Sequence, residues 1–139
     1  MNIIFSGDRN WNNLTLIKAV MERIIVVYGS FTLIEGEARG ADILSKEAAK
    51  IYAVPFKEFP ADWLTYKKAA GPIRNRRMVT EGNGQAVVAF HNDIENSKGT
   101  KDMVNFAKSK KLPTIVITEK MNATELYKII DEFCGELAE

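Results

Sequence analysis

The spacing of hydrophobic and polar residues along the chain predicts strands that alternate with helices. Short apolar runs, typical of buried strands, occupy residues 2–5, 31–34, 54–59, 86–90 and 113–117. Apolar residues at helical spacing separate these runs and also follow the last one, as in the set Leu14, Ile17, Val20, Met21 and Ile24. Because strand and helix alternate five times, we expect a parallel sheet with helices on both faces.

The loops that follow the predicted strands carry most of the reactive and charged groups in the sequence. Clusters of glycine and charged residues fall in these loops, at residues 7–9, 36–42, 62–77 and 92–100. In parallel α/β sheets, ligands bind beyond the carboxyl ends of the strands. We therefore expect the four clusters to meet at one edge of the sheet and to form a binding site there.

The stretch Ala69–Arg77 is the most pronounced of these clusters. Gly71 loosens the backbone, and Pro72 suits the first turn of a helix, where its missing N–H is not needed. Three arginines then follow within four residues. The pattern predicts a helix that runs to about Glu81, whose free N–H groups and arginine side chains bind phosphate or carboxylate. The alternative is a solvated basic helix start.

Two further loops carry groups that suit a phosphate. Gly7 and Arg9 follow the first strand and resemble a small phosphate loop, with an ordinary turn and a surface arginine as the alternative. Neither the dinucleotide-binding nor the Walker pattern of glycines is present. The segment Ser97–Thr100 begins a helix with hydroxyl groups, a lysine and free N–H groups. Its alternative is a helix cap beside a solvated lysine.

The loop after the second strand contains Gly36, Gly40 and Asp42 around a helix start. Gly40 permits a close approach of the backbone. Asp42 either pairs with the helix dipole, or accepts hydrogen bonds from a ribose hydroxyl, or holds an arginine of the site. Glu35 is placed to do the same work from the end of the strand.

Aromatic and titratable residues add weaker signals. Trp11 and Trp63 are candidates to stack on a base, although for Trp11 packing in the core is slightly favoured. His91, the single histidine, is a candidate general base, but a structural role is favoured for it. With one histidine and one cysteine, Cys134, the chain offers no zinc-ligand pattern and no internal disulfide. Cys134 is expected in the core.

Composition and charge limit the kind of protein this is. A chain of 139 residues with 46% hydrophobic residues fits one domain with a real core. A net charge of +1 gives no broad basic surface, so any anion site is local and a nucleic-acid partner is not favoured. No apolar run approaches the roughly 20 residues of a membrane span, and no signal-peptide pattern is present. We expect a cytoplasmic protein that does not bind membranes.

Six motifs form a combination that is more specific than any one of them. They are Gly7-x-Arg9-x-Trp11, Glu35-Gly36-x-Ala38-x-Gly40-Ala41-Asp42, Pro60-Ala61-Asp62-Trp63, Ala69-Ala70-Gly71-Pro72-Ile73-Arg74-Asn75-x-x-Met78, Ala89-Phe90 and Ser97-Lys98-Gly99-Thr100. In this combination the chain resembles the short YspA-type branch of the SLOG superfamily, which also contains Lonely-guy phosphoribohydrolases and DNA-processing Smf proteins. The resemblance covers residues 1 to about 117.

The resemblance implies a Rossmann-like, three-layer α/β/α fold with a mostly parallel five-stranded sheet. It also implies one SLOG-like nucleotide-ligand-binding domain over residues 1–139 and a homo-oligomer. The pocket of such a domain takes nucleotides or nucleotide-derived ligands, including ADP-ribose-like signals of bacterial and phage conflict systems.

One departure from the superfamily bears on chemistry. The Lonely-guy enzymes carry Pro-Gly-Gly-x-Gly-Thr-x-x-Glu, whose glutamate serves cleavage of the N-glycosidic bond. Here the Gly-Thr pair corresponds to Gly99 and Thr100, and the glutamate position falls on Met103. Asp102 is adjacent but points about 100° away around the helix. Phosphate recognition survives this change, whereas phosphoribohydrolase chemistry loses its carboxylate.

Together these observations favour a protein that binds a nucleotide-derived small molecule, such as an ADP-ribose-like or cyclic-nucleotide signal, and senses or sequesters it. The expected ligand-binding residues are Gly7, Arg9, Trp11, Glu35, Gly36, Gly40, Asp42, Trp63, Gly71, Arg74, Asn75, Ser97, Lys98, Gly99 and Thr100. No cofactor and no metal is expected, and no catalytic residue is assigned.

Two alternatives remain open at this point. A nucleotide N-glycosidic hydrolase would need a carboxylate from Asp42, Glu35, Asp62 or Asp102. A single-stranded nucleic-acid-binding module would use the arginine run at 74–77.

Overall fold

The computed structural model describes all 139 residues and contains a five-stranded sheet with helices on both faces. The strands are β1 (Asn2–Gly7), β2 (Thr32–Glu35), β3 (Phe56–Glu58), β4 (Ala86–Phe90) and β5 (Thr114–Ile117). The helices are α1 (Leu14–Val27), α2 (Ala41–Ile51), α3 (Trp63–Tyr66), α4 (Ala70–Thr80), α5 (Gly99–Ser109) and α6 (Ala123–Leu137). Short 3₁₀ turns occupy Lys67–Ala69 and Ile94–Asn96.

The strand order is β3-β2-β1-β4-β5, and every neighbouring pair is parallel. The order reverses between β1 and β4, which lie side by side with Gly7 opposite Phe90. In open α/β sheets of this order, the crevice beyond the strand ends at the reversal is the usual ligand site. The predicted Rossmann-like α/β fold is thus confirmed, with a sheet that is parallel throughout.

Two hydrophobic cores hold the layers together. The larger contains 22 buried residues and packs α1, α2 and α6 on one face of the sheet through side chains such as Phe5, Phe90 and Phe133. The smaller contains six buried residues and packs α4 and α5 on the opposite face around Ile4, Met78 and others. All five residues of β4 are buried, as expected for a parallel strand covered on both faces.

The segment around Gly71 differs from its prediction. The helix α4 begins at Ala70 and is preceded directly by α3 and a 3₁₀ turn, so Gly71 lies inside the helix rather than in a loop before it. Asp62 caps α3 by accepting a hydrogen bond from the N–H of Thr65. Pro72 falls at the third residue of α4, still within the first turn, where it removes no helical hydrogen bond. β1 also runs two residues further than predicted, to Gly7.

None of the six helices has both the length and the hydropathy needed to cross a membrane.

Candidate functional site

A cavity of about 670 Å³ opens at the carboxyl edge of the sheet, at the reversal between β1 and β4. Eleven of the residues expected to bind a ligand line it, namely Gly7, Arg9, Asp42, Trp63, Gly71, Arg74, Asn75, Ser97, Lys98, Gly99 and Thr100. The volume is within the range of about 300–1,000 Å³ that is typical of small-molecule sites. The four loop clusters of the sequence therefore meet in one cavity.

The loop after β1 is fixed by the neighbouring strand and helix. The N–H of Asp8 donates to the carbonyl of Phe90 at 2.9 Å, and the carbonyl of Asp8 accepts the N–H of Ala41 at 3.1 Å. A Cβ atom at Gly7 would lie 2.4 Å from the carbonyl oxygen of Phe90 and 2.7 Å from the Cβ of Ala41. Gly7 is therefore required by packing, which brings the β1 loop against the first turn of α2.

The loop after β2 closes on Arg74, which is buried at the floor of the cavity. The Nη1 atom of Arg74 donates to the carbonyl of Gly36 at 2.6 Å, and its Nε donates to Asn75 at 3.0 Å. A Cβ at Gly36 would lie 2.2 Å from this Nη1 and 2.9 Å from the Asp42 carboxylate. Because Gly36 has no side chain, the guanidinium of Arg74 can reach the backbone carbonyl of Gly36. Gly36 does not line the cavity.

Asp42 lies beside Arg74 in the first turn of α2. Its carboxylate accepts the N–H of Ala38 at 3.2 Å, which shapes the loop. Burial raises the pKa of Asp42 to about 6, against the opposing effect of Arg74 and two backbone hydrogen bonds. Burial also lowers the pKa of Arg74. Of the roles considered for Asp42, the geometry shows the one beside an arginine of the site, Arg74, and the carboxylate also holds the loop, a role that the sequence did not indicate.

Gly40 also lies behind the cavity wall. It precedes α2 with a φ of +80°, a conformation that L side chains rarely adopt, and a Cβ there would lie 2.4 Å from the carbonyl oxygen of Asp8. This close approach is the one that the sequence predicts, but the group approached is the β1 loop rather than a ligand.

The three arginines of α4 have different surroundings, which the sequence does not indicate. Arg76 pairs with Asp102 at 3.1 Å and lies over the ring of Phe106, and Arg77 pairs with Glu81 at 3.0 Å. Of the three, Arg74 alone lines the cavity. Arg76 is two residues after Arg74 and therefore faces a different side of α4. Arg77 is held by Glu81, so the structure brings only Arg74 of the expected three-arginine clamp to the cavity.

The start of α5 lines the cavity with Gly99 and Thr100. Ser97 Oγ accepts the N–H of Thr100 at 3.1 Å, and Asn75 donates to the carbonyl of Gly99 at 3.2 Å. A Cβ added at Gly99 would have no heavy atom within 4 Å, so this face of the helix start is open. The lining residue Lys98 immediately precedes Gly99.

The two tryptophans have different environments. Trp63 is half exposed at the cavity wall, and the guanidinium of Arg9 lies over its ring at 5.1 Å from the centroid. Trp11 is buried in the larger core, packs edge-on against Phe90, and donates its indole N–H to the carbonyl of Asn13. Trp11 therefore does not line the cavity, and the core role favoured for it is the one observed.

Glu35 is another expected site residue that does not line the cavity, as are Gly36 and Gly40. Its side chain is fully buried, and it accepts the N–H of Glu37 at 2.6 Å. Burial, together with a hydrogen bond to the Glu37 carboxylate, raises the pKa of Glu35 to about 9. Glu35, Glu37 and Glu58 are close enough to hold a cation, but the ammonium of Lys46 lies 2.6 Å from Glu37 and 3.5 Å from Glu58.

The four carboxylates considered for a hydrolase are largely committed elsewhere. Asp62 caps α3, Asp102 is held by Arg76 and Asn75, and Glu35 faces Glu37. Asp42 is the one of the four that lines the cavity. Met103, at the position of the Lonely-guy glutamate, is buried in the smaller core.

Sequence reasoning did not assign eight residues that line the cavity: Ser6, Asp8, Asn10, Ala38, Arg39, Lys68, Pro72 and His91. Most of these eight residues are adjacent in sequence to assigned ones, so their closeness to the glycine motifs is the signal that could have identified them. Asp8 is notable because its side chain lies 3.9 Å from the Nε2 atom of His91.

The charges of the cavity differ from those of the chain as a whole. Five cations line it, namely Arg9, Arg39, Lys68, Arg74 and Lys98, against two carboxylates, Asp8 and Asp42. None of these five cations forms a salt bridge, whereas Arg76, Arg77 and Lys101 outside the cavity each do. The cavity lining thus has three more cationic than carboxylate side chains, in a chain whose net charge is +1.

Comparison with known proteins finds a family match over the first part of the chain. Residues 1–66 match the model of the YspA, cpYpsA-related SLOG family, YAcAr. No curated protein matches the sequence. Among solved structures, DNA processing protein A (DprA) from Streptococcus pneumoniae matches with a TM-score of 0.65 and 15% identity, over 99% of this chain and 55% of that chain. A predicted subunit of a tRNA methyltransferase from Methanocaldococcus jannaschii has a TM-score of 0.47 and 12% identity, over 95% of this chain and 75% of that chain.

The chain thus spans about half the length of the DprA chain, with which it shares the fold. The matched segment includes the β1 loop with Gly7 and Arg9 and the β2 loop with Gly36 and Asp42, both of which build the cavity. Over residues 1–66, just under half of the chain, the sequence matches the YspA, cpYpsA-related SLOG family, and the resemblance predicted from its motifs is confirmed for this segment.

Proposed function

We propose that this protein binds a nucleotide or a nucleotide-derived small molecule, such as an ADP-ribose-like or cyclic-nucleotide signal, and senses or sequesters it. The observation that carries the proposal is the group of five cations that line one cavity without a salt bridge. Cations that share a concave surface and outnumber the carboxylates there attract an anion of matching size. The match to a SLOG family model supports a nucleotide- or nucleic-acid-related role.

The cavity suits an anion with a flat aromatic group. Arg9, on the β1 loop, and Lys98, just before α5, both line the cavity, and Lys98 is followed by Gly99, whose Cβ position is open. Helix starts of this kind favour phosphate. Trp63 has an exposed ring at the same cavity, and the guanidinium of Arg9 lies over this ring. A base stacks either on the ring itself, displacing the guanidinium, or on the outer face of the guanidinium.

A small ligand is favoured over a nucleic-acid strand because five cations line one cavity and the adjoining arginines of α4 are paired. Arg76 and Arg77, which would extend a basic track, are held by Asp102 and Glu81. A homo-oligomer, in which a second copy covers the exposed Leu64 and Tyr66 of α3 near the cavity mouth, is part of the proposal. Light scattering on the purified protein tests it, and a monomeric mass would contradict this part alone.

The binding experiment mixes the purified protein with AMP, NAD, ADP-ribose and cyclic ADP-ribose. Each compound is followed by chromatography before and after the protein is heat-denatured. A compound that leaves solution and returns intact supports capture without chemistry. A compound that returns as free base and sugar phosphate indicates the hydrolase instead. If all four compounds stay free and unchanged, the proposed function is wrong.

A matched pair of lysine variants shows whether a bound compound occupies the cavity. Lys98 lines it without a salt bridge, and Lys101 pairs with Glu95 at 3.1 Å outside it. Lys98→Ala is expected to weaken binding about tenfold or more, because a charge-assisted hydrogen bond is worth about 1.5–3 kcal/mol. Lys101→Ala is expected to leave the affinity unchanged. Equal losses in the two variants would show that the compound binds elsewhere.

A further inference from the structure

Asp8 and His91 are neighbours at the point where the strand order reverses. Asp8 directly follows β1 and His91 directly follows β4. The N–H of Asp8 donates to the carbonyl of Phe90 at 2.9 Å, and the N–H of His91 donates to the carbonyl of Ile117 at 3.1 Å. Both backbones thus continue the hydrogen bonding of the sheet, so the two side chains extend into the cavity from fixed positions.

The hydrogen bonds around the pair define what each side chain offers. The Nδ1 atom of His91 accepts the N–H of Asp93 at 2.9 Å, so the proton of the neutral ring is on Nε2. Oδ1 of Asp8 accepts the N–H of Asn10 at 2.9 Å, which leaves Oδ2 as its unshared oxygen. A donor on His91 and an acceptor on Asp8 therefore face each other.

The distance between these two atoms is 3.9 Å, too long for a direct hydrogen bond. A group that accepts from Nε2–H and donates to Oδ2 fits between them, at about 2.8–3.0 Å from each atom. A hydroxyl has both capacities. A phosphate diester or carboxylate oxygen has no proton to donate, and the charge of Asp8 repels it. This end of the cavity is therefore suited to a sugar hydroxyl, whereas Lys98 and Gly99 suit a phosphate.

We propose that Asp8 and His91 form a ribose subsite, in which a ribose hydroxyl bridges Nε2 of His91 and Oδ2 of Asp8. The proposal rests on the proposed function and narrows its ligand class to nucleotide derivatives with a free ribose hydroxyl. The carboxylate accepts from the hydroxyl, and the imidazole orients it. Asp8 is a specificity residue in this arrangement, and His91 positions the same hydroxyl.

The test measures, by isothermal titration calorimetry, the affinities of AMP, 2′,3′-dideoxy-AMP and inorganic pyrophosphate. AMP is expected to bind at least tenfold more tightly than its dideoxy analogue. Equal affinities for AMP and the analogue would overturn the ribose subsite and leave phosphate binding in place. If none of the three probes binds, the subsite and nucleotide-phosphate binding in this cavity are both overturned.

Three variants separate the subsite from general damage. Asp8→Asn keeps an oxygen for the N–H of Asn10 but replaces Oδ2 with a group that cannot accept. His91→Asn keeps an acceptor for the N–H of Asp93 but removes the donor at Nε2, whereas His91→Gln restores a donor near that place. Thermal unfolding confirms that each variant is folded.

Asp8→Asn and His91→Asn are expected to lower AMP affinity at least tenfold and to leave dideoxy-AMP affinity within twofold of the parent protein. His91→Gln is expected to retain more of the AMP affinity than His91→Asn. A loss of dideoxy-AMP affinity as large as that of AMP would overturn the subsite, because the two side chains would then act on the cavity as a whole.

Discussion

The Nη1 atom of Arg74 lies 2.6 Å from the backbone carbonyl of Gly36 and donates a hydrogen bond to it. This contact joins α4, on one face of the sheet, to the loop that leads into α2 on the other face. The residue that the sequence marks as the centre of an anion clamp is therefore also a structural link across the cavity floor. Replacing Arg74 is therefore expected to affect both the stability of the fold and the binding of an anion, and the two effects can be measured separately.

Arg74→Ala is expected to lower the free energy of unfolding by about 2–4 kcal/mol. The substitution removes a buried charge-assisted hydrogen bond to Gly36 and leaves Asp42 buried without its neighbouring charge. Urea denaturation measures the change. Arg76→Ala, which breaks a more exposed pair with Asp102, is the control and is expected to have a smaller effect. Equal destabilisation of the two variants would contradict the role given to Arg74.

Glu35 is expected to make stability fall as the pH rises. Burial raises its folded-state pKa to about 9 from the ordinary 4.5, so between these values the folded protein holds a proton that the unfolded chain has released. The free energy of unfolding therefore decreases with pH across this window. Glu35→Gln donates to Glu37 at every pH, so it is expected to flatten the decrease in denaturation curves recorded at pH 5, 7 and 9.

Glu35→Ala is the comparison for that experiment, because alanine neither donates to Glu37 nor fills the space. It is expected to be less stable than Glu35→Gln at each pH, by about 1–3 kcal/mol for the unsatisfied buried group. A parent protein whose stability rises between pH 5 and 9, with no change in slope for Glu35→Gln, would show that Glu35 is ionised when folded.

Asp42 is expected to make anion binding stronger at low pH. Burial raises its pKa to about 6, so acidification through this value removes a negative charge from the cavity floor beside Arg74. ADP-ribose is the suitable probe, because its pyrophosphate keeps its charge between pH 5 and 8. Its affinity is expected to increase from pH 7.5 to 5, and Asp42→Asn is expected to reduce this increase. An unchanged pH profile in Asp42→Asn would assign the effect to other groups.

Gly99→Ala separates folding from ligand approach. The added Cβ would meet no heavy atom within 4 Å, so stability is expected to stay the same or to increase slightly, as alanine favours helices. A phosphate that approaches the N–H groups of the α5 start would meet the new methyl group, so AMP affinity is expected to fall several-fold. Unchanged affinity together with unchanged stability would place the phosphate elsewhere.

Gly7→Ala is the matched contrast within the same cavity. Its Cβ would lie 2.4 Å from the carbonyl oxygen of Phe90, which is backbone in the central strand pair and cannot move freely. We expect a clear decrease in the midpoint of thermal unfolding. A Gly7→Ala protein as stable as its parent would contradict the close packing of β1 against β4 and α2.

The sequence predicted the strands and the location of the cavity because both depend on local patterns. Alternating apolar runs specify β1 to β5, and in a parallel sheet all loops after strands share one edge. Trp11 and Glu35 lie outside the cavity because the direction of a side chain near a strand end depends on register and on the packing of other elements. A motif gives proximity along the chain and not direction.

Contacts between residues that are far apart in the chain could not be predicted from the sequence either. Asp102 is 26 residues from Arg76, and its choice of this partner removes one arginine from the expected clamp. Asp8 and His91 are joined by the order of the strands, which a single sequence does not specify. The contact between Asp8 and His91 follows from the topology, because the two residues meet only when β1 and β4 lie side by side.

The unequal size of the two cores has a consequence for motion. The layer of α4 and α5 rests on six buried residues, and the opposite layer rests on 22. Since cooperative units with little buried apolar surface open at lower free energy, amide hydrogens of α4 and α5 should exchange before those of α1 and α6. One wall of the cavity is therefore built on the layer that opens more readily. A molecule that contacts both walls would hold this layer in place and so reduce its opening.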